Sequence, residues 1–445
     1  MQDKFQTYKS LNLPEISEEV KEFWDNNKIF EKSLENRKDA EPYVFYEGPP
    51  SANGQPGIHH VMARAIKDLF CRYQTLKGKK VDRKAGWDTH GLPVEISVEK
   101  TLGITKEDIG KSISVEDYNK ACRSEVMKYK DLWDDLTRKM GYWVDLDNPY
   151  ITFDNKYIES VWYLLSQLYN KDLLYKGYTI QPFSPAAGTG LSTHELNQPG
   201  CYKDVKDQTA TAQFEVINDE KSKDLFQIAE ENLFLAAWTT TPWTLPSNTA
   251  LAVGKNIDYV IIKTFNSYNG ELINVIMAKE LVQSYFNPEF ENKDFSEFNL
   301  GDKNIPYKIL KELKGSDLEG LNYKQLIPFI KADGEAFRVI LGDFVTTEDG
   351  TGIVHIAPTF GADDDRVAKK VGIVPLVLID KEKKRQPMVD QKGRFYRIED
   401  LDKDFVNDFV NIDYYEKFAG RYVKNAYEDK SDKDISLDIE LVILM

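Results

Sequence analysis

Two histidines, His59 and His60, follow a turn rich in glycine and proline, Gly48-Pro49-Pro50-Ser51-Ala52-Asn53-Gly54. The apolar run Val44-Phe45-Tyr46 ahead of the turn suits a short buried strand, and two prolines with two glycines must break it. A helix is expected next. Met62, Ala65, Ile66, Leu69, Phe70, Tyr73 and Leu76 fall on one 3.6-residue stripe, and Gly78 sits where a C-cap belongs. Strand, turn and helix together leave a helix N-terminus free to receive phosphate, with two imidazoles beside it. The unit recurs throughout α/β proteins, so by itself it does not fix a function. A metal reading is weaker, because side chains at adjacent helix positions point apart and no cysteine or carboxylate cluster joins them.

A second segment, Gly86-Trp87-Asp88-Thr89-His90-Gly91-Leu92-Pro93-Val94-Glu95, lies close behind the first. Together the two resemble the amino-acid and ATP site of class I aminoacyl-tRNA synthetases, in the wording of their isoleucyl branch. The resemblance implies that Gly48 and Pro49 shape the side-chain pocket, that Asp88 holds the substrate ammonium with His90 nearby, and that ATP, as its Mg²⁺ complex, meets His60. The family usually carries His-x-Gly-His at the helix start, and in that register this chain reads Gly57-Ile58-His59-His60. His60 keeps its place. Gly57 stands where the family has the first histidine, and His59 puts a ring where the family has glycine, so either ATP is seated differently or the helix start is rotated.

Two more segments, far apart in the chain, resemble the hydrolytic editing pocket of the isoleucyl, valyl and leucyl enzymes. One is Trp238-Thr239-Thr240-Thr241-Pro242-Trp243-Thr244, which runs on to Asn248; the other runs from Gly350 through His355 and Ala357-Pro358 to Gly361-Ala362-Asp363-Asp364. A mischarged amino acid presents an ammonium and an ester. The resemblance implies that Asp364 supplies the anion, that Thr239, Thr240, Thr241 and Thr244 narrow the pocket and donate to the ester, that Asn248 orients substrate or water, and that His355 fills part of the wall. Without the resemblance, a threonine run reads as an edge strand and a lone histidine as a core residue.

The chain has 445 residues, 41% hydrophobic and 12% aromatic, enough for more than one core. No segment approaches the roughly 20 apolar residues that span a bilayer, and the N-terminus has no apolar signal core. Three cysteines, Cys71, Cys122 and Cys201, are too scattered for a disulfide framework or a zinc site. A reducing cytoplasm and no membrane are therefore expected. The net charge of −15 argues against a generally basic surface, so tRNA contact needs a local basic patch.

The expected fold is α/β: the first half of a class I nucleotide-binding, Rossmann-like catalytic domain interrupted by an inserted, β-barrel-rich editing domain. Residues 1–42 form a helical appendage that begins at Ser17 and packs Val20, Phe23, Trp24 and Phe30 on the catalytic core; 43–200 are catalytic, and 201–445 are the insertion. Ser114 with Asp117 reads as a capping box, and Tyr118, Cys122, Tyr129, Trp133, Leu136 and Met140 as one helix ending at Gly141. Asp154 starts another. Later, Ala210, Ala212, Phe214 and Val216 alternate, Tyr259 to Thr264 and Leu272 to Ala278 form a hairpin across Asn269-Gly270, and Arg338 to Val345 is a further strand. The charged stretches Lys381 to Arg385 and Glu428 to Asp434 read as solvated loops.

The lysine-rich loop with which the family closes its adenylation site does not occur, and Gly420 to Ala426 resembles a closing segment of the insertion. Leu437 to Met445 is a final apolar stretch whose last five residues are expected to be exposed, and the chain reads as the N-terminal part of a longer monomeric enzyme. Its implied partners are tRNA(Ile), isoleucine and ATP, with no metal and no tightly bound cofactor in this part. A valyl-type synthetase, another nucleotidyltransferase of the superfamily and a tRNA-binding module without synthetic activity are the alternatives; the intact His355 and Asp364 segment counts against the last two.

Overall fold

The computed structural model describes residues 8, 10–177, 179–184, 187–204, 208–230, 232–424 and 436–444. The chain divides into two units, Met1–Gly177 and Tyr178–Met445.

In the first unit three parallel strands lie in the order β1 (Phe45–Tyr46), β2 (Arg83–Trp87), β3 (Asp145–Ile151). The crossover from β1 to β2 is helical, as parallel pairing requires. Before the sheet come α1 (Leu13–Asn26) and α2 (Ile29–Glu35); α3 (Ile58–Leu76) joins β1 to β2. Between β2 and β3 run α4 (Leu92–Leu102), α5 (Val115–Val126) and α6 (Lys130–Lys139), and α7 (Asn155–Tyr169) follows β3.

Several expectations need correcting here. The first helix starts at Leu13, with Pro14 in its first turn, rather than at Ser17, and Phe30 belongs to a second helix. Trp24 and Phe30 do pack on Trp143, with ring centroids 5.1 and 5.7 Å away, whereas Val20 and Phe23 are exposed. The stretch from Tyr118 to Met140 is two helices, broken at Met127 to Tyr129. Its start is capped as read, Ser114 Oγ accepting the N–H of Asp117 at 3.0 Å.

The apolar stripe of α3 faces outward: Met62, Ile66, Leu69, Phe70, Tyr73 and Leu76 are each more than half exposed, and Val44 and Tyr46 of the supposed buried strand are exposed too. α3 is fastened to the sheet through its polar side. Lys67 pairs with the buried carboxylate of Glu47, Asp68 meets the buried Arg83 at 3.4 Å, and Arg72 donates to the carbonyl of Gly141 at 2.5 Å. Glu47 also accepts from the Tyr142 hydroxyl, and its carbonyl from Tyr150. Such a satisfied network substitutes for apolar packing only because each charge has partners.

The second unit begins with a short hairpin of β4 (Phe183–Ser184) and β5 (Thr189–Gly190). Its main sheet contains β6 (Ala210–Glu215), β7 (Leu233–Thr239), β9 (Asp258–Phe265), β10 (Leu272–Ala278) and β11 (Lys308–Lys314), in the order β11-β9-β10-β7-β6. A second sheet has β8 (Ala250–Val253) between β12 (Arg338–Leu341) and β13 (Ile353–Ile356). The barrel expectation is corrected: the two larger sheets of this unit are open, and no closed barrel stands among the described residues. β7 and β10 pair in parallel, which a simple meander could not give.

The local readings fare better. β9 and β10 form the antiparallel hairpin, Gly270 taking a φ of 74° in its turn, and Ile261, Ile262 and Ile276 are fully buried. Burying each such side chain contributes about 1.5–3 kcal/mol. β6 alternates as read, Ala210, Ala212 and Phe214 pointing inward. β12 ends at Leu341, short of Val345. Lys381 to Lys384 is an exposed turn, while Glu428 to Asp434 lies outside the described residues, as do the last residues of the Gly420 to Ala426 segment. The final helix, Leu437–Leu444, is not wholly exposed: Leu437 and Leu441 are buried in the main core, and Glu440 pairs with Arg421 at 2.5 Å.

Candidate functional sites

In the first unit, the parallel register of β1 and β2 brings the glycine turn beside the Gly86 to Glu95 segment. The N–H of Asp88 donates to the carbonyl of Pro50 at 3.0 Å, tying the two motifs together and leaving the Asp88 carboxylate exposed. Gly48 and His90 are exposed as well, and Pro49 is half-buried. Thr152, which the sequence reading passed over, holds this corner. Its hydroxyl lies 2.9 Å from His90 Nδ1, accepts the N–H of Thr89 at 3.0 Å and meets the Thr89 hydroxyl at 2.8 Å. Gly86 is needed where it stands, since a Cβ there would enter the Tyr150 ring.

At the start of α3, Gly57 is the N-cap and its N–H donates to His60 Nδ1 at 2.9 Å. A neutral His60 therefore carries its proton on Nε2. Burial and the nearby His59, Arg64 and Lys67 hold its pKa below the usual histidine value. The rings of His59 and His60 do not point apart: their centroids are 3.7 Å from each other, and His60 lies 4.5 Å from Trp133. Trp133, also missed, donates its indole N–H to the carbonyl of Gly54 at 2.8 Å and carries the Arg64 guanidinium 4.7 Å from its ring centroid. An aromatic in an amphipathic helix gives no sequence signal for either role.

In the second unit, antiparallel pairing of β8 with β13 sets Leu251 opposite His355 and unites the two distant motifs. Trp243 and Phe360 close the contact edge to face, 5.0 Å between centroids. The hydroxyls of Thr239 and Thr241 lie 3.3 Å apart, those of Thr241 and Thr244 3.4 Å, and Thr244 Oγ1 lies 3.0 Å from His355 Nε2. Thr244 spends its own proton on the carbonyl of Thr241, at 2.8 Å. His355 Nε2 must then be the donor to Thr244, which leaves Nδ1 a bare acceptor, enclosed and without a protein partner. Burial drives the His355 pKa down to about 4, so the ring is neutral at neutral pH. Thr240 is exposed.

Asp364 sits in the first turn of the helix Ala362–Val371 and accepts the N–H of Ala357 at 2.9 Å. Burial raises its pKa to about 6, against the lowering by that hydrogen bond, and Asp363 adds to the rise. No cation stands among the causes. Gly361 makes room for this arrangement, since a Cβ there would lie 2.5 Å from the Asp364 carboxyl carbon. Asn248 departs from its expected role. It is buried, donates to the carbonyl of Ala250 at 2.9 Å and accepts from the Tyr323 hydroxyl at 2.7 Å, so its amide braces the loop from behind.

No group of three or more histidine, cysteine or acidic side chains fit to hold a metal occurs among the described residues. No helix there is long and apolar enough to cross a membrane.

The family model of class I tRNA synthetases (I, L, M and V) matches residues 19–438. The isoleucine–tRNA ligase of Porphyromonas gingivalis is 60% identical over 447 residues, covering 100% of this chain and 39% of its own length. That of Bacteroides fragilis is 58% identical over 446 residues, with the same shares covered. The chain thus spans 39% of the length of these curated relatives. Among solved structures, the P. knowlesi cytosolic leucyl-tRNA synthetase editing domain aligns with 37% of this chain and 63% of its own, at 14% identity and a TM-score of 0.28.

Proposed function

The chain belongs to the class I tRNA synthetases, and from that premise we propose that it forms the part of an isoleucine–tRNA ligase that begins amino-acid activation and carries the editing site. In this reading residues 43–200 hold the first half of a Rossmann-like nucleotide fold, built on the three parallel strands, and 201–445 are the editing insertion. The complete enzyme joins isoleucine to tRNA(Ile) at the expense of ATP. Asp88, exposed just past the end of β2 with one carboxylate oxygen accepting the N–H of His90 at 3.3 Å, takes the ammonium of isoleucine beside Gly48, Pro49 and His90. The phosphates of ATP approach the start of α3 at Gly57, His59 and His60, where unpaired helix N–H groups and the Nε2 proton of His60 favour an anion. Mg²⁺, arriving with ATP, would neutralise charge on the phosphates.

In the editing reading, one observation carries most weight: Asp364 is a largely buried carboxylate, raised to about 6 by desolvation, with no cation among the causes of its shift. An ammonium group entering there pairs the charge and opposes the rise, because an opposite charge favours the ionised carboxylate. The hydroxyl of Thr241 faces the ester, Thr239 fixes Thr241 by accepting its N–H at 3.0 Å, and Thr244, whose proton is spent on the carbonyl of Thr241, holds the neutral His355 ring in the pocket wall. A second site that hydrolyses the smaller, mischarged product is the double sieve for which the isoleucine enzyme is itself the standard example. The test is the hydrolysis of valyl-tRNA(Ile) against isoleucyl-tRNA(Ile), with and without Asp364→Ala. Selective loss of valyl-tRNA(Ile) that Asp364→Ala abolishes supports the reading, and equal hydrolysis of both esters, or none by the unaltered protein, sinks it. Hydrolysis of threonyl-tRNA(Val) with valyl-tRNA(Val) spared would instead favour the valyl-type alternative.

A further inference from the structure

Gly57 has φ −107° and ψ 173°, an extended backbone that any residue adopts. Its lack of a side chain is therefore not explained by conformation, and as an N-cap glycine is no better than the serine, aspartate or asparagine that could accept a helix N–H there. Space explains it. A Cβ on Gly57 would lie 2.9 Å from His59 Cε1 and 3.0 Å from His59 Nδ1, but 3.9 Å from His60 Nδ1, an ordinary contact. The His59 ring has folded back over the glycine. There it packs, tilted by 45°, against His60, which lies against Trp133, which in turn holds the carbonyl of Gly54 and lies under Arg64. The ladder runs from an exposed imidazole to a buried indole.

On the reading that ATP binds at the start of α3, we infer that Gly57 and His59 act as one unit: the bare position 57 opens the volume that the His59 ring fills, so that the second imidazole facing the triphosphate is delivered from position 59. Position 57 then needs no polar side chain, and any side chain placed there expels the ring from its seat. His60 presents a fixed N–H donor, while His59, exposed at the helix start, supplies a second donor beside it. Both act on the phosphate oxygens by hydrogen bond, and neither takes part in bond making.

The experiment is amino-acid-dependent exchange of pyrophosphate into ATP by the complete polypeptide carrying this sequence, measured for Gly57→Ala, His59→Ala, the double variant and His60→Ala. His59→Ala should lower kcat/KM for ATP by about tenfold or more, with the KM for isoleucine unmoved. Gly57→Ala should cause a loss of the same kind, by displacing the ring. The double variant should be no worse than His59→Ala, because without the ring the new methyl meets nothing, and this also shows that alanine at 57 does not unfold the helix start. Losses that multiply in the double variant, or an unaltered kcat/KM for ATP in His59→Ala while His60→Ala is crippled, overturn the pairing. Full exchange by His60→Ala overturns the prior assignment of ATP to this helix, and the pairing falls with it.

Discussion

Thr244 and His355, 111 residues apart in the chain, meet at 3.0 Å through Oγ1 and Nε2, and this bond closes a line of side chains that begins at Thr239. The β8–β13 ladder makes it possible, by bringing the strand that carries His355 against the one that follows the threonine loop. Breaking the bond leaves His355 buried with neither ring nitrogen paired.

Thr244→Val keeps the shape of the side chain and removes the hydroxyl that accepts from His355 and donates to the carbonyl of Thr241. It should cost about 1–3 kcal/mol, the penalty of an orphaned buried donor, read as a lower urea midpoint with unchanged slope. Deacylation of valyl-tRNA(Ile) should fall with it. Thr240→Val, at an exposed position, should stay within about 0.5 kcal/mol; equal effects from both would show that the hydroxyl line is not a unit.

His355 and Asp364 should pull the pH dependence of stability in opposite directions. The Asp364 pKa is raised from 3.8 to about 6, so between those values the folded state binds more protons than the unfolded, and stability falls as pH rises. The His355 pKa is lowered from 6.5 to about 4. In that window the folded state binds fewer protons, and stability rises with pH. Asp364→Asn should therefore expose a rising profile from about pH 4 to 6.5, and His355→Asn a falling one from about pH 4 to 6, each on the order of 3 kcal/mol. Parallel slopes in the two variants would show that one of the groups is not buried as described. Editing itself should fade below about pH 6, as Asp364 takes up its proton.

Tyr323→Phe removes the hydroxyl that donates to Asn248 at 2.7 Å within a buried site. It should cost about 1–3 kcal/mol, with a smaller effect on the KM for valyl-tRNA(Ile) than Thr244→Val. A KM effect as large as that of Thr244→Val, without loss of stability, would return Asn248 to the substrate.

Gly86→Ala places a methyl in the Tyr150 ring. Overpacking of this kind costs about 1–3 kcal/mol and should shift the end of β2, so the KM for isoleucine should rise through Asp88. Gly54→Ala meets nothing within 4 Å and is the control; thermal unfolding of the two side by side decides the matter.

Much of the fold was legible because its signals are local. The Asn269-Gly270 turn with alternation on either side identifies the β9–β10 hairpin, and Ser114 with Asp117 marks a helix start, since turn and cap chemistry involve residues within a few positions of each other. The barrel was not legible: whether β11 and β6 meet depends on pairings across the whole domain, and here they stand at opposite edges of one sheet. The α3 stripe shows the same limit. Its period is helical and the helix is there, but periodicity cannot say which face is covered, and here Lys67, Asp68 and Arg72 make the attachment while the apolar side faces out.

The candidate sites divide in the same way. The order and types of residues in the sequence led to the expectation of phosphate chemistry at a helix start and, through a resemblance to an editing pocket, to Thr239, Thr240, Thr241, Thr244, Asn248, His355 and Asp364, because residue type sets what a group can donate, accept or charge. The direction of each group was decided only by packing. Asn248 turned inward because Tyr323 and Ala250 claimed its amide, Asp364 gained its raised pKa from burial over Gly361, and His59 folded onto the space of Gly57. Orientation and desolvation arise from neighbours distant in the chain, and no residue carries that information alone.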